Sequence, residues 1–198
     1  MRKGEQTHNA IIEQAAGVFI RQGYAGTSIG DLMDATGLSK GAIYNHFANK
    51  DDLALQVFDY AVGKMEERVA EVIRGVPRHA IHRLVAVMEL YRDYLDNAVF
   101  AAGCPVLNTS VEADDTHPAL RKRAQMVVDI WLDWLIRTVE RGIQEGQIRP
   151  DADAEQVATM IIASLEGGVM VSKLYADSSH LNLVVDYLVD YIQMNLAV

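Results

Sequence analysis

Several polar and basic residues between positions 39 and 50 have the types and spacing of a nucleic-acid contact surface. Ser39 can cap a short helix in which Ile43 and Phe47, four residues apart, point inward. The positions left facing outward, together with a lysine at the start of the next helix, are Lys40, Gly41, Tyr44, His46 and Lys50. Lysine and tyrosine bond phosphate oxygens, and glycine permits close approach of the backbone. The chemistry predicted here is binding of a phosphate backbone.

The residues before this helix complete a two-helix unit. Ser28 begins a Ser-x-x-Asp capping pattern with Asp31, and Gly37 supplies a tight turn between two short helices. Residues 28–47 therefore follow the helix-turn-helix pattern, in which the second helix enters the DNA major groove and the first crosses the backbone. Thr27 and Ser28 are both candidates to cap the first of these helices, and capping alone explains one of them.

These residues resemble the TetR/AcrR family of bacterial transcriptional regulators over positions 8–55. The resemblance is carried by Thr27-Ser28, Gly37-Leu38-Ser39-Lys40-Gly41, Tyr44-Asn45-His46-Phe47 and Lys50-Asp51-Asp52-Leu53. It implies a homodimer whose N-terminal domain binds double-stranded operator DNA and whose C-terminal domain holds a small-molecule inducer. It places the DNA contacts on Thr27, Ser28, Lys40, Gly41, Tyr44, His46 and Lys50.

Helical periodicity extends over nearly the whole chain, and no alternating strand pattern is convincing. The pattern predicts an all-α fold of about nine helices. A three-helix helix-turn-helix domain at 1–50 is expected to join a larger helical ligand-binding and dimerisation domain at 51–198.

Charge is distributed unevenly between these two parts. The 198 residues carry a net charge of −9, but residues 1–50 hold five basic against four acidic side chains, and the remainder holds thirteen against twenty-three. Phosphate contacts supply most non-specific DNA affinity. We therefore expect weak binding to bulk DNA and a requirement that a dimer engage two half-sites together.

Apolar and aromatic residues of the later helices could line a pocket for a partly apolar or aromatic ligand. Polar groups at Asn108, Glu112 and Glu166 could orient such a ligand. The predicted ligand contacts are Met88, Tyr91, Cys104, Leu107, Asn108, Val111, Trp131, Trp134, Glu166 and Met170. The single cysteine has two interpretations, a reactive thiol at a helix N-terminus that senses oxidants or electrophiles, or a small buried core residue.

Adjacent glycines inside an apolar helix, Gly167 and Gly168, suggest close approach of another helix. A four-helix dimer interface would use two helices from each subunit. Its predicted residues are Val157, Ile161, Leu165, Gly168, Val185, Leu188 and Ile192. Packing within one subunit fits the same pattern.

Motifs of nucleotide-binding, hydrolase and zinc-protease sites are absent, so we expect no enzyme activity, no catalytic residues, no cofactor and no metal. The polar N-terminus has no apolar segment behind it, so we expect neither a signal peptide nor a membrane partner, and a cytoplasmic location. The sequence predicts a ligand-responsive transcriptional regulator, a repressor that binds a palindromic operator as a dimer and is released by an inducer. The alternatives are an all-α ligand-binding protein or enzyme without specific DNA binding, and an activator.

Overall fold

The computed structural model describes residues 3–95, 103–113 and 116–198, and these residues form nine α-helices and no strand. The helices are α1 (Lys3–Gly26), α2 (Ile29–Thr36), α3 (Lys40–Tyr44), α4 (Lys50–Arg74), α5 (Ala80–Leu90), α6 (Pro105–Ala113), α7 (Pro118–Gln144), α8 (Ala154–Tyr175) and α9 (Ser179–Asp190). A π-helical segment, Tyr191–Leu196, follows α9, and an isolated antiparallel bridge joins Ile148 to Ala197. The predicted all-α fold is confirmed.

The first of two compact units comprises residues 1–65 and 105–125. Its core is formed by inward side chains of α1 to α4 and of the turn after α3, which include Ile11, Ala15, Phe19, Leu32, Ile43, Phe47, Leu53 and Val57. The predicted four-residue spacing of Ile43 and Phe47 places both in this core. The ring of His8 stacks on that of Phe47, with centroids 4.5 Å apart. The short helices α2 and α3 are thereby anchored on α1 and α4.

This unit does not end at residue 50, where the sequence places a domain boundary. Leu53, Ala54 and Val57 of α4 are buried in its core, because the first turns of α4 present an apolar face to α1. Helix α6 also belongs to it and packs against α1. The segment that follows the helix-turn-helix therefore shares a core with it.

The second unit comprises residues 66–104 and 126–198, and α8 and α9 form its most extensive helix pair. Gly168 permits their close approach, since a Cβ atom there would lie 3.0 Å from Leu181 Cδ1 and 3.2 Å from Val184 Cγ2. The packing buries the residues predicted to form a dimer interface, namely Val157, Ile161, Leu165, Gly168, Val185, Leu188 and Ile192. The six larger side chains of that set are at most 4% exposed. These residues therefore pack within one chain, the alternative that the sequence left open, and a dimer interface on these helices stays a prediction.

Among the described helices, α8 is the one whose length and apolar composition would suffice to cross a membrane. Its inward residues are covered by α9, as in the core helix of a folded domain. Length and composition alone are therefore weak evidence for a membrane span.

Candidate nucleic-acid interface

The corner between α1 and α2 is stabilised by side-chain hydrogen bonds to the backbone. The hydroxyl of Thr27 donates to the carbonyl of Gly23 at 2.6 Å, and the Thr27 side chain is only 1% exposed. Ser28 and Asp31 form the predicted capping box: Ser28 Oγ accepts from the Asp31 N–H at 3.2 Å, and Asp31 Oδ2 accepts from the Ser28 N–H at 2.7 Å. A hydrogen bond from the Ser28 hydroxyl to Asp31 Oδ2, at 2.6 Å, and the bond from the Ser28 backbone N–H lower the pKa of Asp31. Ser28 is exposed, whereas the Thr27 hydroxyl is used inside the fold and does not form part of the outer surface.

The outward face of α3 carries the predicted contact residues. Ser39 caps the helix by accepting a hydrogen bond from the Ala42 N–H at 3.2 Å. The ammonium group of Lys40 lies 5.9 Å from the Tyr44 ring centroid, within cation–π range. A Cβ atom at Gly41 would meet nothing within 4 Å, so the backbone there is open. This face therefore combines a positive charge, an aromatic ring and accessible backbone.

His46 and Lys50 follow this face in the chain. The ring of His46 is partly buried, with its centroid 6.0 Å from that of His8. Lys50 is the first residue of α4, and its ammonium group lies 4.3 Å from the centroid of the Tyr24 ring. Asn49 caps this helix by accepting a hydrogen bond from the Asp52 N–H at 2.8 Å. The start of α4 thus presents a lysine held over an aromatic ring.

Tyr24 is held at both its side chain and its backbone. Its hydroxyl donates a hydrogen bond to a carboxylate oxygen of Asp51, and burial together with Asp51 raises the Tyr24 pKa to about 12. The ring of His117 packs edge-on against the Tyr24 ring, with centroids 4.6 Å apart. The backbone N–H of Tyr24 donates to Glu112 Oε2 at 2.8 Å, and that of Ala25 donates to Glu112 Oε1 at 2.7 Å.

Sequence reasoning missed this role of Glu112, which it had considered as a polar group for a ligand. Glu112 lies 88 positions after Tyr24 in the chain, and no local sequence pattern connects the two residues. The available signal was Gly23, because glycine most readily adopts the positive φ found where a helix is interrupted. Its φ of 74° does require glycine, but α1 continues across the kink to Gly26.

The predicted ligand residues are divided between the two units. Leu107, Asn108 and Val111 lie in the first, and the others lie in the second. Val111 is 71% exposed and Met170 is 55% exposed, so neither lines an enclosed pocket within this chain. Trp131 and Trp134 are partly buried. Asn108 borders a shallow cleft in the first unit, beside Phe19, Tyr24, Thr109 and Glu112.

A polar cluster inside the second unit contains three of the predicted residues, Tyr91, Cys104 and Glu166. The rings of Tyr91 and Tyr94 stack with centroids 5.1 Å apart. Burial raises the pKa of the Glu166 carboxyl to about 7, although a hydrogen bond from the Cys104 side chain opposes this shift. Burial also raises the pKa of Tyr91 well above its ordinary value. Glu166 Oε2 is buried, and within the described residues it has no hydrogen-bond partner.

Two of the predicted ligand residues, Met88 and Cys104, are completely buried. The thiol of Cys104 hydrogen-bonds within the polar cluster, to Glu166 and Tyr94. This placement agrees with a core residue rather than an exposed reactive thiol. In the described part of the chain, no group of three His, Cys, Asp or Glu side chains is placed to hold a metal ion.

Two family models match the chain. "Bacterial regulatory proteins, tetR family" covers residues 11–57, and "Tetracyclin repressor-like, C-terminal domain" covers residues 80–188. A TetR transcriptional regulator from Chloroflexus aurantiacus is 41% identical, with a TM-score of 0.95 over 100% of both chains.

Two curated relatives come from mycobacteria. An uncharacterized HTH-type transcriptional regulator of Mycobacterium tuberculosis is 32% identical over 88% of each chain. The HTH-type transcriptional repressor DhaR of Mycobacterium sp. (strain GP1) is 24% identical over 83% of this chain and 81% of the relative. With both family models matched, the chain belongs to the TetR family and is a ligand-responsive DNA-binding transcriptional regulator, not an enzyme.

Proposed function

We propose that this protein is a cytoplasmic repressor that binds a palindromic operator as a homodimer and is released by a small-molecule inducer. The main support for DNA contacts at α3 is that Lys40, Gly41 and Tyr44 share its outward face. Lys50, at the start of α4, adds a second positive charge where backbone N–H groups favour a phosphate. Family membership supports this proposal, and the repressor named among the relatives favours repression over activation.

The proposed DNA contacts divide by chemistry. Tyr44 can donate its hydroxyl to a phosphate while its ring lies against a sugar, and Lys40 and Lys50 neutralise phosphate charge. We propose that Ser28, which is exposed, and His46, which is partly exposed, add polar contacts to DNA. Because Thr27 is 1% exposed and its hydroxyl is bonded to Gly23, we propose that it supports the DNA-binding surface by holding the start of α2 rather than by touching DNA.

For dimerisation we propose the outer faces of α8 and α9, in place of the buried residues predicted from sequence. Large apolar side chains are more than half exposed there, which is unusual for a surface facing only water. They are Met160, Met170, Leu174, Tyr175, Leu183 and Tyr187, followed by Met194 in the π-helical segment. Two such helices from each subunit would form a four-helix interface. A dimer of this kind can present its recognition helices roughly 34–36 Å apart, one turn of DNA.

For the inducer we propose contact with the cluster of Tyr91, Cys104 and Glu166. A ligand with an apolar or aromatic body and one hydrogen-bond donor would satisfy the buried Oε2 of Glu166. Glu166→Gln should weaken any inducer that donates to this oxygen, measured as a smaller ligand-induced rise in melting temperature. An unchanged rise would remove Glu166 from the ligand site.

Footprinting of the purified protein on DNA upstream of its own gene tests the whole proposal. We expect one protected palindrome that survives an excess of random competitor DNA. Equal protection of random DNA, or none at moderate salt, would contradict a specific operator and favour a ligand-binding protein of another kind.

A further inference from the structure

We propose that Glu112 is a positioning residue for DNA binding: its carboxylate holds the last turn of α1, at the corner between α1 and α2, and through Tyr24 it fixes Lys50 toward a phosphate. This inference rests on the proposed role of Lys50. It assigns to α6 a part in operator affinity that is present without any ligand.

The first step is the hydrogen bonding of the backbone to Glu112. Its two carboxylate oxygens accept separate hydrogen bonds from the N–H groups of Tyr24 and Ala25, at 2.8 and 2.7 Å. Bonds from amides to an ionised carboxylate are about twice as strong as bonds between neutral groups. Both N–H groups follow the kink at Gly23, where the regular bonding of α1 is interrupted. Glu112 thus supplies acceptors at the place where the helix lacks them.

Gly23 is an independent sign that the carboxylate fits closely. A Cβ atom at position 23 would lie 2.6 Å from Glu112 Oε2 and 2.7 Å from Oε1. A Cβ atom essentially never comes so close to another heavy atom, so any larger residue would displace the carboxylate. The left-handed φ of 74° already favours glycine, and the close approach of Glu112 adds a second reason.

The next step leads from the corner to the DNA-facing surface. The Tyr24 ring supports the ammonium group of Lys50 at 4.3 Å, and its hydroxyl bonds Asp51 in the first turn of α4. On the other side, Thr27 bonds the Gly23 carbonyl immediately before the Ser28 cap. Movement of the corner would therefore move both the start of α2 and the side chain of Lys50.

Charge and position predict opposite results for Glu112→Gln, which makes the test decisive. Removing a negative charge near DNA should by itself strengthen binding, as we expect for Glu13→Gln on the exposed face of α1. The amide side chain introduced at this position would retain only one acceptor oxygen, so one N–H of the corner would lose its partner. We expect operator affinity to fall about tenfold in Glu112→Gln, with Glu112→Asp intermediate because it keeps the charge.

A double-mutant cycle tests whether Glu112 acts on DNA binding through Lys50. In a Lys50→Met background, Glu112→Gln should cost less than about threefold, since the group it positions is gone. The same tenfold loss in both backgrounds would overturn the route through Lys50. Affinity equal to or above that of Glu13→Gln would overturn the positioning role altogether. If the Glu112→Gln variant fails to fold, the same cycle is run with Glu112→Asp.

Amide hydrogen exchange at Tyr24 and Ala25 gives a readout that needs no DNA. We expect faster exchange at these two positions in Glu112→Gln and no change in Glu13→Gln. Unchanged exchange in Glu112→Gln would contradict the hydrogen bonds to Glu112. Failure of the wild-type protein to bind any operator would instead contradict the proposed function, leaving the exchange result to decide whether Glu112 holds the corner.

Discussion

The ammonium group of Lys50 lies over the ring of Tyr24, 4.3 Å from its centroid, at the first residue of α4. A lysine held in this way loses less conformational freedom on meeting a phosphate than a freely moving lysine does. The charge of the first 50 residues is nearly balanced, so each such lysine carries a large share of the attraction to DNA.

Replacing Lys50 by Met should therefore weaken binding nearly equally on operator and random DNA. The slope of log affinity against log salt concentration should become shallower by about one for each protomer. Fluorescence anisotropy titrations at several salt concentrations measure both quantities. Lys64→Met, on the same helix but outside the predicted contact set, is the matched control; a slope unchanged in Lys50→Met would remove Lys50 from the contact surface.

Leu183 and Tyr187, on the exposed face of α9, should determine the oligomeric state. Leu183→Glu with Tyr187→Glu places two charges where a partner would bury apolar surface, so we expect monomers in sedimentation velocity. Because a monomer engages one half-site, operator affinity should fall by more than about a hundredfold. Val111→Glu, which adds a charge at an exposed apolar position on α6, should leave the dimer intact. A dimeric Leu183→Glu, Tyr187→Glu variant would contradict the proposed interface.

Glu166 should make the protein less stable as pH rises from about 4.5 to about 7. Burial raises the pKa of its carboxyl to about 7 in the folded chain. The unfolded chain therefore releases the proton first, and the free energy of unfolding falls across this window. Below pH 4.5 both states are protonated, and above pH 7 both are ionised, so the contribution levels off.

Urea unfolding at pH 5 and pH 8 checks this effect. Glu166→Gln should raise stability at pH 8 and flatten the difference between the two pH values, because its side chain does not titrate. Glu155→Gln, at the exposed start of the same helix, should keep the wild-type difference. An equal difference in wild type and Glu166→Gln would show that Glu166 is not the responsible group.

The DNA-facing elements could be predicted from sequence because their determinants are local. Ser28 and Ser39 cap helices that begin at the next residue, and the four-residue spacing of Ile43 and Phe47 placed both in the core. Such signals depend on a few neighbouring positions, so the same interactions form in the folded chain. The orientation of Thr27 was ambiguous because one hydroxyl can cap, bond a phosphate or bond the preceding carbonyl.

Features that depend on contacts between distant helices could not be predicted in this way. Helices α8 and α9 are apolar on more than one face, so periodicity did not distinguish buried Leu165 and Leu188 from exposed Met160 and Tyr187. Glu112 looked like any polar residue on an amphipathic helix until the fold placed it beside Tyr24. Both results depend on which helices meet, and that information is spread over many distant positions.

Because Tyr44 lies on the outward face of α3, the operator affinity of Tyr44→Ala shows whether α3 is the DNA-recognition helix. The measurement compares wild type, Tyr44→Phe and Tyr44→Ala on the footprinted palindrome, with sedimentation confirming that each remains a dimer. We expect a loss of at least about tenfold for Tyr44→Ala, and a smaller loss for Tyr44→Phe, which keeps the ring. A dimeric Tyr44→Ala variant with wild-type affinity would contradict the assignment of α3 as the DNA-recognition helix.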